Sequence, residues 1–242
     1  MKAILLAAGK SSRITSKINN IPKPLIEING KPILQYNIEM LKRYGIDDLI
    51  INTHYKKESI KERFGNGNKF GVNIQYIDEE ILLGTAGTIK SLEDMLKGPF
   101  LVVYADNLTK INIKELIDYH YKKKRLITIA IYDYFKTPNS KIASGKIIID
   151  EDMDIVKFIE TSDLPTEFMK YVNAGIYVVE PELINYIPNK IPCDFSKDVF
   201  PKLLEQKIKM QTYILSGFCY GMDTLRSLNI TKRSMEVKYD NI

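Results

Sequence analysis

A chain of 242 residues, 45% hydrophobic and 27% charged, has the balance of an ordinary globular protein and is long enough for one sizeable core. Its 35 basic and 30 acidic residues leave a net charge of +5. The lysines scatter along the whole chain, so this mild excess suits a small anionic substrate but is no nucleic-acid footprint. No apolar run approaches the roughly 18 residues of a membrane span, and two cysteines, Cys193 and Cys219, make no disulfide framework.

Lys2–Ala7 is a nearly continuous apolar run, the pattern of a strand buried on both faces. It is shorter than the ~7–15 apolar residues of a secretory signal, so the expected location is the cytoplasm. Leu25–Ile28 before Asn29-Gly30 predicts a short strand and a tight turn. Pro32 suits a first helical turn, and Leu34, Ile38 and Leu41 recur at helical spacing up to a stop at Gly45. Strands are predicted over 49–53, 72–77, 100–104 and 126–132, and helices over 56–64, 85–96 and 113–123. Alternation of this kind predicts an α/β fold with a largely parallel sheet. In the second half, 146–149 and 155–159 read as a hairpin, 172–179 and 209–214 as strands, and 181–186 and 195–205 as helices. One domain, 1–242, is expected, in two halves at 1–125 and 126–242.

Several common chemistries are missing. No His/Cys cluster has zinc spacing, and no Gly-x-Ser-x-Gly elbow or Walker A pattern occurs. The two histidines, His54 and His120, read as structural or surface residues. Lys122-Lys123-Lys124-Arg125 closes a predicted helix, where cations complement the dipole.

Four features remain. The first strand runs into Ala7-Ala8-Gly9 and Lys10-Ser11-Ser12-Arg13. Small residues admit a ligand close to the backbone, successive N–H groups can form an anion nest, and Arg13 can grip phosphate oxygens bidentately; a plain surface loop is the alternative. Pro22-Lys23-Pro24-Leu25 holds one lysine stiffly between prolines, as a phosphate ligand or as a rigid connection. Asp106, in Tyr104-Ala105-Asp106-Asn107, falls just past a buried strand, where α/β sheets place their ligand crevice. It reads as a magnesium ligand or as a cap. Leu83-Gly84-Thr85-Ala86-Gly87 marks a loop-to-helix junction that leaves room for a flat ring, or that Thr85 merely caps.

In this order and spacing, these segments resemble the sugar-1-phosphate nucleotidylyltransferases over nearly the whole chain. Val172-Asn173-Ala174-Gly175-Ile176-Tyr177 and Asp223 add to the likeness, and 172–177 with 195–204 look most like the branch using GTP with mannose or heptose 1-phosphate. The resemblance implies a Rossmann-like three-layer sandwich around a mixed, mostly parallel sheet, the nucleotide-diphospho-sugar transferase fold. It implies nucleotidyl transfer from an NTP to a sugar 1-phosphate with Mg²⁺ as cofactor. Those two substrates are the implied partners, with no nucleic acid and no membrane, and a homo-oligomer stays open. Carried over by position, Arg13 holds the triphosphate, Lys23 the α-phosphate region, and Asp106 and Asp223 the metal. Ala7, Ala8, Gly9, Ser11, Ser12, Gly84 and Thr85 line the nucleotide; Asn107, Gly145, Glu160 and Asn173 meet the sugar. The chain departs from the family where Ser11 replaces a glycine, and where Thr161 and Ser162 follow Glu160 in place of Lys-Pro; Lys157 and Lys170 are the candidates to replace that lysine. A UTP-, dTTP- or CTP-using glucose-1-phosphate enzyme and a non-catalytic nucleotide-sugar-binding homologue are the alternative readings.

Overall fold

The structure is a computed structural model that describes residues 1–9, 21–139, 145–159 and 170–239. Strand β1 (Lys2–Leu6) leads to a hairpin of β2 (Glu27–Ile28) and β3 (Lys31–Pro32). Its turn residues Asn29 and Gly30 have φ of 52° and 73°, the left-handed pair that Asn-Gly tolerates. Helix α1 (Ile33–Arg43) buries Leu34, Ile38 and Leu41, as their spacing predicts. It ends where Gly45, at φ 74°, lets Gly45 N–H donate to Lys42 O and Ile46 N–H to Leu41 O. Then follow β4 (Asp48–Thr53), α2 (Lys57–Phe64), β5 (Asn73–Asp78), α3 (Thr85–Ser91), β6 (Phe100–Tyr104), β7 (Asn107–Lys110), α4 (Ile113–Lys123) and β8 (Ile127–Asp133). The second half adds β9 (Lys146–Ile149), β10 (Ile155–Ile159), β11 (Tyr171–Val179), α5 (Phe200–Glu205), β12 (Gln211–Ile214), β13 (Phe218–Gly221) and α6 (Leu225–Tyr239).

Among the described residues nine strands form one mixed sheet in the order β10-β9-β11-β6-β1-β4-β5, with β8 between β11 and β12. The pairs β1/β4, β1/β6, β4/β5 and β8/β12 are parallel. Strand β11 is antiparallel to β6, β8 and β9. Its C-terminal half, Ile176–Val179, pairs with β6, while Tyr171 and Val172 pair with β9 along the same edge. The sheet therefore forks at Asn173–Gly175, where the β8 register also shifts. Side chains alternate to two buried clusters: Ala3 and Leu5 of β1 face one, and Ile4 faces the other. A third cluster packs α6 and the β7/β13 ribbon against the first hairpin through Ile28, Leu108, Tyr220 and Leu228.

Three expectations need correction. Helix α3 stops at Ser91 rather than reaching Leu96, although Leu92 and Leu96 are both buried; apolar spacing marks burial, and turns can supply it as well as a helix. Pro181–Tyr186 is a 3₁₀ segment. Phe195–Val199 is a π-helical turn leading into α5, not a continuous α-helix. Pro201 explains the last case, since its ring would clash with the carbonyl four residues back in an unbroken α-helix. Strands β7 and β13 and helix α6 are elements the sequence reading did not anticipate.

Candidate active site

The C-terminal ends of β1, β4, β5 and β6 open on a cavity of about 420 Å³, where α/β sheets place their ligands. Ala7, Ala8 and Gly9 continue β1 into its wall. The Ala7 N–H donates to Asn52 Oδ1 at 2.7 Å, which fixes the loop's exit from the strand. No described atom lies within 4 Å of a Cβ built on Gly9.

Lys23 sits in a 3₁₀ turn, Lys23–Leu25, after the extended Pro22. Its side chain is nearly buried, and Nζ donates to Asp106 Oδ2 at 2.9 Å and to Asp223 Oδ1 at 2.6 Å. Burial pulls the lysine pKa down, but the charges and hydrogen bonds of the two carboxylates outweigh it and hold the pKa above the usual value of 10.5. Asp106 lies in the turn between β6 and β7, and Asp223 follows β13. The β7/β13 pairing sets Gly221 opposite Asn107, and Met222 N–H donates to Asp106 O at 3.2 Å. The ribbon thus carries together two carboxylates far apart in sequence. Two carboxylates converging on one ammonium offer the hard oxygen donors that suit Mg²⁺. Among the described residues no cluster of three His, Cys, Asp or Glu forms.

The junction at Gly84 is built by packing. Gly84 has φ 82°, and a Cβ there would strike the Cys193 carbonyl. That carbonyl accepts from Ala86 N–H and Gly87 N–H at 2.9 and 3.0 Å, and Asp194 Oδ1 accepts from Thr85 N–H at 3.1 Å. The first N–H groups of α3 are therefore spent on the 193–194 crossover rather than left for an anion. Thr85 Oγ1 accepts from Phe195 N–H at 3.0 Å, so its hydroxyl braces the same crossover. Both Gly84 and Thr85 line the cavity.

Sequence reading missed Glu79 and Asp194, which also line the cavity. Glu79 is buried just past β5. Its Oε1 accepts from Asn52 Nδ2 at 2.8 Å and from Thr88 Oγ1 at 2.5 Å, and Oε2 accepts from Leu83 N–H at 3.0 Å. The strand-end rule that singled out Asp106 applies equally to Glu79. Nothing local flags Asp194, whose contact with Thr85 spans 109 residues.

On the far side of the site, Asn173 Oδ1 accepts from Gly175 N–H at 2.9 Å, and its Nδ2 donates to Tyr177 Oη at 2.7 Å. Asn173 N–H donates to Gly145 O at 2.9 Å, which brings those two expected sugar contacts together. Asn107 Nδ2 donates to Ala174 O at 3.1 Å. A Cβ on Gly175 would lie 2.8 Å from Asn107 Nδ2 and 2.9 Å from Tyr104 Cβ, so only glycine lets the fork close on the Asp106 turn. Lys10, Ser11, Ser12, Arg13, Glu160, Thr161 and Ser162 lie outside the described residues. Lys157 is exposed, and Lys170 Nζ lies 3.8 Å from Asp133 Oδ2 and over the Tyr171 ring. Both histidines have structural partners: His54 Nδ1 meets Glu79 O at 2.8 Å, and buried His120 sits between Thr128 and Glu180. Arg125, after the cationic end of α4, pairs with Asp154 at 2.9 Å. Among the described residues no helix is long and apolar enough to cross a membrane.

The fold matches that of HddC from Yersinia pseudotuberculosis with a TM-score of 0.80, at 21% identity, covering 97% of this chain and 99% of that one. The same protein complexed with GMP-PN matches equally well, at 22% identity. This is the nucleotide-diphospho-sugar transferase fold. The chain belongs to the Nucleotidyl transferase family, which matches residues 2–226. It is 32% identical over 219 residues to UTP–glucose-1-phosphate uridylyltransferase of Synechocystis sp., covering 85% of this chain and 55% of that protein. It is 32% identical over 223 residues to mannose-1-phosphate guanyltransferase of Saccharomyces cerevisiae, covering 90% and 60%. The chain thus spans little more than half the length of the curated relatives it matches.

Proposed function

We propose that this chain transfers a nucleotidyl group from GTP to mannose or heptose 1-phosphate, releasing pyrophosphate. The observation that carries the transfer is the convergence of Lys23, Asp106 and Asp223 beside a cavity walled by Ala7–Gly9. In this reading a sugar-phosphate oxygen attacks the α-phosphorus, and the bond from α-phosphorus to the bridging oxygen breaks. The nucleophile is already an anion at neutral pH, so no general base is needed. His54 and His120, held by structural contacts, fit that economy. Asp106 and Asp223 would hold Mg²⁺, which when bound neutralises charge on the phosphates. Lys23 stabilises the α-phosphate, and Arg13 grips the departing pyrophosphate. Asn107, Gly145, Asn173 and Glu160 receive the sugar.

Glu79 is the group in the cavity wall that favours a donor-rich base. Its Oε1 already accepts from Asn52 and Thr88, and Oε2 takes one N–H, from Leu83, so Oε2 keeps room for one further donor. Guanine can offer that donor from N1–H or the N2 amino group. Uracil and thymine offer one N–H between two carbonyls, which a carboxylate repels. The Saccharomyces guanyltransferase agrees with this choice, and the Synechocystis uridylyltransferase is the competing precedent. A matrix of NTPs against sugar 1-phosphates, read by pyrophosphate release with Mg²⁺, tests the proposal. Turnover is expected with GTP and mannose or heptose 1-phosphate. Turnover confined to UTP, dTTP or CTP with glucose 1-phosphate overturns the substrate assignment. Nucleotide-sugar binding without turnover across the matrix overturns catalysis.

A further inference from the structure

We propose that Lys23 is a resident stand-in for the metal ion: its ammonium occupies the position between Asp106 and Asp223, so a divalent cation binds the protein well only when a triphosphate draws the lysine away. The inference rests on the proposed function for the identity of the triphosphate, but its geometry stands on three side chains. Nζ lies 2.9 Å from one carboxylate oxygen and 2.6 Å from the other. A magnesium ion prefers oxygen ligands at roughly 2.0–2.1 Å. To sit between the two carboxylates it would take the place the ammonium now holds, and so close together the two cations would repel strongly. Only one of them can use the pair.

Release of Lys23 needs no backbone movement. Its turn is fixed between Pro22 and Pro24, but four side-chain torsions lie between Cα and the ammonium. Lys23 also lines the cavity, so a polyanion there can offer new acceptors within its reach. A nearly buried ammonium does not leave two carboxylates without replacement. The triphosphate supplies the replacement for the lysine, and the metal supplies it for the carboxylates. One exchange then links the two events, and free metal alone cannot drive it. Magnesium's habit of binding through one or two carboxylates plus substrate phosphates fits this order.

The test uses Mn²⁺ as the probe, titrated into the full chain without nucleotide and followed by the electron paramagnetic resonance of free Mn²⁺. Wild type should bind weakly. Lys23→Met should bind at least about tenfold more tightly, because the ammonium between the two carboxylates is then gone, and Lys23→Met with Asp223→Asn should lose the gain. Lys23→Gln, which keeps a polar head without charge, serves if the methionine variant does not fold, as judged by circular dichroism. A Mn²⁺ affinity within twofold of wild type in the folded lysine variant overturns the proposal and makes the lysine a simple structural ion pair. No sugar phosphate or turnover enters the titration. A flat result therefore sinks the stand-in and leaves the catalytic reading to the pyrophosphate assay, while failure of that assay leaves this result intact.

Discussion

At position 79 a single atom separates two chemistries. Changing Glu79 to Gln keeps an acceptor for Asn52 and Thr88 but turns an amide donor toward the Leu83 N–H, where a carboxylate oxygen now accepts at 3.0 Å. We expect the ratio of kcat/KM for GTP over UTP to fall by about tenfold or more, because the amide no longer accepts a guanine donor at the former Oε2. The loop 79–84 should also loosen, at a cost of about 1–3 kcal/mol in chemical unfolding. A ratio unchanged within twofold would show that Glu79 only braces the loop. Asp106→Asn tests the other end of the cavity. If this carboxylate holds the metal, pyrophosphate release should fall by about a hundredfold or more, since a charge that acts in the transition state is lost. A rate within a few-fold of wild type would remove Asp106 from that role.

Among the elements, the β7/β13 ribbon decides whether the site exists. Gly217 precedes β13, and a methyl group there would run into the Lys110 carbonyl at the end of β7. Gly217→Ala should push the strands apart and cost about 1–3 kcal/mol, measurable in urea. Because the ribbon carries Asp106 and Asp223, activity should drop even at temperatures where the variant is fully folded. Helix α4 gives a pH-dependent case. His120 is buried between Thr128 on β8 and Glu180; burial lowers its pKa below 6.5, against the opposing pull of Glu180. The unfolded chain then binds a proton that the folded one refuses. That stability is present above about pH 6.5 and declines as pH falls from there toward the lowered folded value. His120→Gln should flatten the slope in that window, as read by thermal melting against pH.

These elements also show where sequence sufficed. Strands β1, β4 and β6 were legible because they are buried on both faces and read as unbroken apolar runs. Asn107–Lys110 and Phe218–Gly221 are four residues each and pair with one another across more than a hundred positions. Neither has a local signature. The site divides the same way: Lys23 and Asp106 stood out from proline bracketing and a strand end, whereas the contact that joins them to Asp223 is a product of the ribbon.

For the molecule as a whole, β11 governs cooperativity. Ala174, Ile176 and Val178 face one buried cluster, while Tyr177 and Val179 face the other. The strand also pairs with β6 from the first half of the chain and with β8 and β9 from the second. Neither half can separate without opening both clusters. Urea unfolding should therefore give one transition, with far-ultraviolet circular dichroism and tyrosine fluorescence coinciding. Two separated transitions would mean that 1–125 and 126–242 fold as independent units. The chain has 15 tyrosines and no tryptophan, so its emission background at long wavelength is dark. Among the described residues nothing crowds Gly9, which turns that into an engineering opportunity. An indole introduced by Gly9→Trp beside the cavity wall would be a lone fluorophore, reporting ligand entry by quenching or, if it fills the space, acting as a plug.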